Sequence, residues 1–161
     1  MANGTSTSHA RLTFAEVLES PARHEAYLAE VAAWASDRVG GLAPELGLMT
    51  ITGNTELSPT RQQVTRALLD EADWLAERLA AARAAERTWI AHMLVFSGLG
   101  QETAVLSEVH SELNPRLLHE DIVIEEFHQA STSTNVRNRN YPAGPSPWPC
   151  FAMRALLSQH A

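Results

Sequence analysis

The segment TWIAHMLVF, residues 88–96, constrains the fold more than any other stretch, because it is apolar on both of its alternating faces. Successive side chains of a strand point to opposite faces of the sheet, so such a strand needs a cover on each side. Gly98 and Gly100 follow and predict its end. The segment therefore predicts a central strand in a sheet with helices packed on both faces.

The residues before this strand predict two helices and one further strand. Thr13 and Glu16 have the spacing of a capping box, and residues 20–21, Ser-Pro, predict the start of a longer helix that ends at the glycines 40–41. LGLMTIT, residues 46–52, predicts a short strand. Ser-Pro at 58–59 predicts the start of the next amphipathic helix, whose inner face includes Leu75.

The residues after the central strand predict one more helix and one or two strands. QETAVLSEVHSEL is amphipathic, and Asn114 with Pro115 predicts its end. DIVIEEFHQ reads as a strand, while CFAMRALL at 150–157 fits a last strand or a short helix.

This order predicts an α/β fold: a single layered domain over residues 13–161, in which three amphipathic helices alternate with a three- to four-stranded mixed sheet. The sheet is expected to be largely parallel, with an antiparallel final strand as an option. The chain begins with MANGTSTSHA, which is polar and has no hydrophobic periodicity. This predicts that residues 1–12 form a disordered tail.

Composition excludes several classes of function. The net charge is −7, which argues against nucleic-acid binding, and every basic residue is arginine, which excludes a lysine Schiff base. The single Cys150 and the lack of an apolar leader favour the cytoplasm, and the apolar residues are too dispersed for a membrane span. We expect a small-molecule substrate, no membrane partner, and homodimerisation as an option.

The chemically richest part of the chain begins at the strand 122–128. Strand periodicity places Glu126 and His128 on one face, directly before a loop at 129–149 that contains four prolines. His128 could ligate iron or another metal, act as an acid or base, or simply be a hydrogen-bonded histidine. His92, by contrast, is expected to be a hydrogen-bonded core histidine.

Arginines and aromatic residues of this region are candidates for ligand binding. Arg137, Arg139 and Arg154 could clamp a carboxylate or phosphate, since a guanidinium binds such groups through two parallel hydrogen bonds, or could pair with surface acids. Tyr141 and Trp148 could form the floor of a binding pocket or hold the loop against the sheet. Cys150 reads as a small buried apolar residue, although a haem thiolate is conceivable.

The C-terminal half resembles a bacterial family of unknown function that is common in actinobacteria and often encoded near natural-product genes. The resemblance rests on HMLVFSGL, ELNPRLLHEDIVIEEFHQ and SPWPCFAMRAL. The family pattern has Phe-His, then an asparagine loop, then Ser-Pro-x-Pro-x-x-Ala-x-Arg. The matching positions are Phe127, His128, Asn138, Ser146, Pro147, Pro149, Ala152 and Arg154. The resemblance implies that His128, Asn138 and Arg154 are functional residues, with Asn138 as a substrate contact.

Three functions are compatible with these residues. The first is a natural-product oxidoreductase that acts on a small amine or amino acid and binds haem iron through His128, with the arginines meeting the propionates. The second is a cofactor-free isomerase, cyclase or lyase in which His128 and Glu126 transfer protons and Arg154 orients a carboxylate substrate. The third is a binding or accessory protein whose loop recognises a partner.

Overall fold

The computed structural model describes residues 10–39, 49–84, 91–100, 103–128 and 146–155. Within these ranges the helices are α1 (Phe14–Glu19), α2 (Ala26–Val39), α3 (Arg61–Ala84) and α4 (Ala104–Leu118). The strands are β1 (Leu12–Thr13), β2 (Met49–Asn54), β3 (Ala91–Phe96), β4 (Ile122–Phe127) and β5 (Cys150–Ala155).

The five strands form one mixed sheet in the order β1-β2-β3-β5-β4. β2 and β3 are parallel, and β5 lies antiparallel between β3 and β4. The carboxyl ends of β2, β3 and β4 therefore meet at one edge of the sheet, which is where α/β proteins commonly place their sites.

Helices cover both faces of this sheet. On one face α3 and α4 bury a cluster that includes Leu94, Phe96, Phe151, Ile122 and Ile124. On the other face α1 and α2 cover a second cluster of strand side chains. Every residue of β2 and β3 is buried, as the all-apolar central segment predicted. None of the described helices is long and apolar enough to cross a membrane.

The α/β class is confirmed, but the prediction of three helices and three to four strands was wrong, since the described residues form four helices and five strands. Thr13 and Glu16 do form a capping box, yet the helix that they start is only six residues long. β1 has two residues, too few for any periodicity. Leu12 lies in β1 although the prediction placed it in the tail, and residues 1–9 lie outside the described residues.

Helix boundaries depart from the sequence prediction in three places. Pro21–Arg23 forms a separate 3-10 turn before α2. α3 is capped two residues later than predicted, by reciprocal hydrogen bonds between Thr60 and Gln63. Pro115 lies inside α4 and does not end it, because the last turn is held in the core by the buried Leu117. The segment 150–157, for which the sequence allowed a strand or a short helix, begins as the strand β5. This strand runs antiparallel to both β3 and β4.

Leu75→Ala is expected to lower the free energy of unfolding by about 2 to 5 kcal/mol, because the Leu75 side chain is fully buried on the core face of α3 and its removal leaves a cavity. Urea unfolding of both proteins measures the difference. An unchanged unfolding midpoint would contradict the packing of α3 against the sheet.

Candidate functional site

The predicted pair at the end of β4 is present in the structure. Ile122, Ile124 and Glu126 alternate on the face covered by α3 and α4. His128 follows directly after the strand, and its Nε2 lies 3.7 Å from Glu126 Oε2. Both side chains are largely buried, with 14% of His128 and 19% of Glu126 exposed. This distance permits electrostatic interaction but is too long for a direct hydrogen bond.

Two residues of α4 complete the cluster. Ser107 Oγ donates a hydrogen bond of 2.5 Å to Glu126 Oε2. His110 lies three residues further along the helix, on the same side. Its Nε2 is 3.0 Å from the carbonyl oxygen of Ile124, and its Nδ1 is 3.8 Å from Glu126 Oε1. The Glu126 carboxylate is thus surrounded by a hydroxyl and two imidazoles.

Sequence patterns gave no functional role to Ser107 or His110. The alternation over residues 122–128 was sufficient to place Glu126 and His128 on the same face, because this depends only on residues close together in the sequence. Placing α4 on β4 requires knowledge of which helix face packs there. The apolar stripe Leu106, Val109, Leu113 and Leu117 carried that signal, since Ser107 and His110 flank it.

Ser146, the next described residue after His128, lies beside it. The backbone N–H of Ser146 donates to the carbonyl of His128 at 3.3 Å, so the two residues that flank 129–145 are in contact beside the cluster. Ser146 is buried, and its hydroxyl donates to the carbonyl of Trp148 at 2.6 Å. This contact, with the flanking prolines, forms the turn that leads into β5 and gives the Ser-Pro-x-Pro motif a structural role.

Trp148 and Cys150 occupy structural positions. The indole Nε1 of Trp148 donates to Glu30 at 3.0 Å, and its ring meets the ring of Tyr27 edge-on, so it ties the turn to α2. Gly53 makes room for Tyr27, whose hydroxyl would lie 1.9 Å from a Cβ at that position.

Burial raises the pKa of Cys150 to about 12, which keeps the thiol protonated. Cys150 is therefore a buried apolar residue in character.

Arg154 does not lie near His128. It is paired in register with Val123 of β4, five residues before His128, which corresponds to about 17 Å along a strand. Val123 and Glu125 also point to the opposite face from Glu126. Burial raises the pKa of Glu125, although the charges of Arg154 and His110 oppose this. The structure therefore does not bring together His128 and Arg154, which the sequence resemblance had grouped.

The other predicted contacts lie in a part of the chain that the structure does not describe. These are Arg137, Asn138, Arg139 and Tyr141. They fall in the segment 129–145, which is flanked by the described residues His128 and Ser146. Their roles stay predictions.

A second polar cluster is buried between α3 and the first strands. His92 is fully buried; its Nε2 lies 2.7 Å from Glu71 Oε1 and its Nδ1 lies 2.7 Å from Thr50 Oγ1. Glu71 also accepts two hydrogen bonds from Arg11, at 2.8 and 3.1 Å. The ring of Trp74 packs against His92, with centroids 4.6 Å apart. His92 is thus a core histidine with both nitrogens hydrogen-bonded, as expected.

The protonation of this cluster follows from its surroundings. Burial lowers the pKa of His92, so the ring is neutral, donates from Nε2 to Glu71 and accepts at Nδ1 from Thr50. Burial alone would raise the pKa of Glu71, but the hydrogen bonds and charges of His92 and Arg11 outweigh it and hold that pKa below its ordinary value. The carboxylate is therefore charged and paired with Arg11.

Both shifts predict that the protein loses stability in acid. Below the ordinary histidine pKa of 6.5 the unfolded chain takes up a proton that buried His92 resists, so stability is full above that pH and falls below it. Glu71 acts in the same direction at lower pH, since its folded pKa is depressed and its contribution is lost on protonation. Urea unfolding between pH 8 and 5 measures this loss. His92→Asn should flatten the curve below pH 6.5, and an unchanged slope in that variant would contradict the assignment.

Among the described residues, no group of three or more His, Cys, Asp or Glu side chains could hold a metal ion. The Glu126 cluster and the His92 cluster are also separate, because β5 lies between the strands that carry them. The Glu126 cluster lies towards the carboxyl end of β4 and contains titratable groups that are partly exposed, so it is the candidate site.

Comparison with known proteins places the chain in a family. No curated protein and no solved structure matches it. A family model described as "Domain of unknown function (DUF6875)" matches residues 41–160, which include β2 to β5, α3, α4 and the whole candidate site. The chain therefore belongs to the DUF6875 family.

Proposed function

We propose that the protein is a cofactor-free enzyme that moves a proton on a small carboxylic acid, with His128 and Glu126 as the proton-transfer pair. The observation that carries this proposal is the Glu126 carboxylate, which presents one oxygen to His128 and the other to His110, at 3.7 and 3.8 Å. A carboxylate beside an imidazole favours the imidazolium that forms when histidine acts as a base. Ser107 holds the carboxylate in place through Oε2.

In the proposed reaction His128 removes a proton from the carbon next to the carboxylate of an amino acid, or from the carbon next to the carbonyl of a 2-oxo acid. The C–H bond breaks, an N–H bond forms on the imidazole, and the electron pair stays on the substrate. Return of the proton to another position gives an isomerase, and loss of a leaving group gives a lyase. The reactions of an isomerase, a lyase and a cyclase would all begin with this removal of a proton by His128.

Substrate recognition is assigned to the segment 129–145. The residues that flank this segment are in contact beside the cluster, because the Ser146 N–H bonds to the carbonyl of His128. Arg137 and Arg139 lie in this segment and are the proposed partners of the substrate carboxylate, with Asn138 and Tyr141 as further contacts. A carboxylate-binding role for Arg154 in the same site is not part of the proposal, since Arg154 is paired with Val123 on the opposite face.

Deuterium uptake from D₂O tests the proposal. The protein amino acids and their 2-oxo acids are incubated with the protein in D₂O, and loss of each C–H signal is followed by proton NMR. We expect uptake into at least one of these acids with wild type, and uptake that is slower by about 10²-fold or more with His128→Gln. The absence of uptake into every acid would contradict the proposal.

An absorption spectrum distinguishes the proposed proton transfer from the alternative function of a haem-binding oxidoreductase. If His128 is a haem ligand, added haemin gives a Soret band with wild type that is shifted or lost in His128→Ala. The proton-transfer proposal predicts the same spectrum for both proteins. A protein with neither uptake nor a haem band would be a binding or accessory protein.

A further inference from the structure

We infer that His110 is a proton relay that connects Glu126 with solvent. The inference rests on the proposed function and adds the route by which the substrate proton leaves the site. His110 acts through Glu126 and has no contact with the substrate in this account.

The hydrogen bond to β4 fixes the tautomer of His110. A carbonyl oxygen can only accept, so the contact of 3.0 Å between His110 Nε2 and the carbonyl of Ile124 requires a hydrogen on Nε2. In the neutral ring Nδ1 then carries a lone pair, and this atom faces Glu126 Oε1 at 3.8 Å. The backbone of the strand thus orients the basic nitrogen of His110 towards the carboxylate.

The Glu126 carboxylate bridges the two imidazoles. Oε2 faces His128 and accepts from Ser107, while Oε1 faces His110. Exposure of the side chains rises along this row, from 14% at His128 through 19% at Glu126 to 28% at His110. His110 is therefore the member of the row through which a proton most easily reaches water.

The relay step follows from these positions. After Glu126 has received the proton from His128 at Oε2, rotation of the carboxyl group brings this O–H bond to His110, where it breaks as an N–H bond forms at Nδ1. This restores the carboxylate and leaves an imidazolium, which gives the Nδ1 proton to water or a buffer base. The step requires the two side chains to approach by about 1 Å, to normal hydrogen-bond distance.

His110→Gln separates a relay from a structural role. The glutamine amide can donate to the carbonyl of Ile124, as Nε2 does, but it has no basic nitrogen. With the amino or 2-oxo acid that wild type labels fastest, we expect deuterium uptake to slow by about tenfold or more with unchanged KM. Added imidazole should restore the rate, because it supplies the missing base. His119→Gln, an exposed position just after α4, is the matched control and should change nothing.

The outcomes are distinct. A wild-type rate in His110→Gln, or a slow rate that imidazole does not raise, would overturn the relay while leaving the His128–Glu126 pair intact. Wild-type protein that labels none of the acids would overturn the proposed function and the relay with it. Equal melting midpoints for wild type and His110→Gln check that the variant is folded.

Discussion

Glu71→Ala is expected to lower the free energy of unfolding by about 3 to 5 kcal/mol, which is large for a charged residue. The carboxylate is buried and accepts hydrogen bonds from both Arg11 and His92. Its removal leaves the Nε2–H of fully buried His92 without an acceptor and leaves a cavity beside His92 and Arg11. Urea unfolding at pH 7.5 measures the effect.

Two further variants sharpen this prediction. Glu77→Ala removes an exposed glutamate from the same helix and should change stability by no more than about 0.5 kcal/mol. Glu71→Gln keeps an acceptor for His92 but loses the charge that pairs with Arg11, so its effect should lie between the two. If Glu71→Ala and Glu77→Ala were equally stable, the network of Arg11, Glu71 and His92 would not exist as described.

His128→Ala is expected to slow substrate deuteration by about 10²- to 10⁴-fold, the usual contribution of a general acid or base. The melting midpoint should fall only slightly, because His128 follows the end of β4 and lies outside both core clusters. His119→Ala, at an exposed position, is the matched control for the loss of an imidazole. A normal rate in His128→Ala would remove this residue from the site.

The sequence predicted those features of the fold that depend on local periodicity. The segment 91–96, apolar except for His92, became a buried central strand, and the alternation in 122–127 placed Glu126 on the correct face. β1 was not predictable in this way, because a two-residue strand exists only through its pairing with β2. The number of elements was therefore underestimated although the class was correct.

Long-range polar contacts were outside the reach of sequence patterns. Arg11 and Glu71 are 60 residues apart, and charged side chains are rarely buried, so neither residue suggested the other. The link to His92 adds a third element, β3. This cluster could be found only once α3 had been placed across β2 and β3.

Proximity in sequence misled in the case of Arg154. It lies near the loop in the chain and belongs to the motif shared with the family pattern, which suggested a common site with His128. An antiparallel strand pair reverses that relation: β5 starts beside the end of β4 and runs away from it. Arg154, near the far end of β5, is therefore remote from His128.

The folded unit extends beyond the region that matches the family. Residues 10–39 lie before position 41, where the match begins, yet α1 and α2 within them pack on one face of the sheet. Trp34 packs edge-on against Phe127, and Arg11 pairs with Glu71. The N-terminal segment is therefore part of the same core in this protein.

The most direct test of the central claim is a double-variant cycle on His128 and Glu126, measured as the rate of deuterium uptake into the acid that wild type labels fastest. Because the two residues are proposed to act as one unit, His128→Gln, Glu126→Gln and the double variant should slow uptake by similar factors. Glu108→Gln, an exposed change of the same charge on α4, should retain the wild-type rate. A Glu126→Gln rate equal to wild type, or single effects that multiply in the double variant, would contradict the pair.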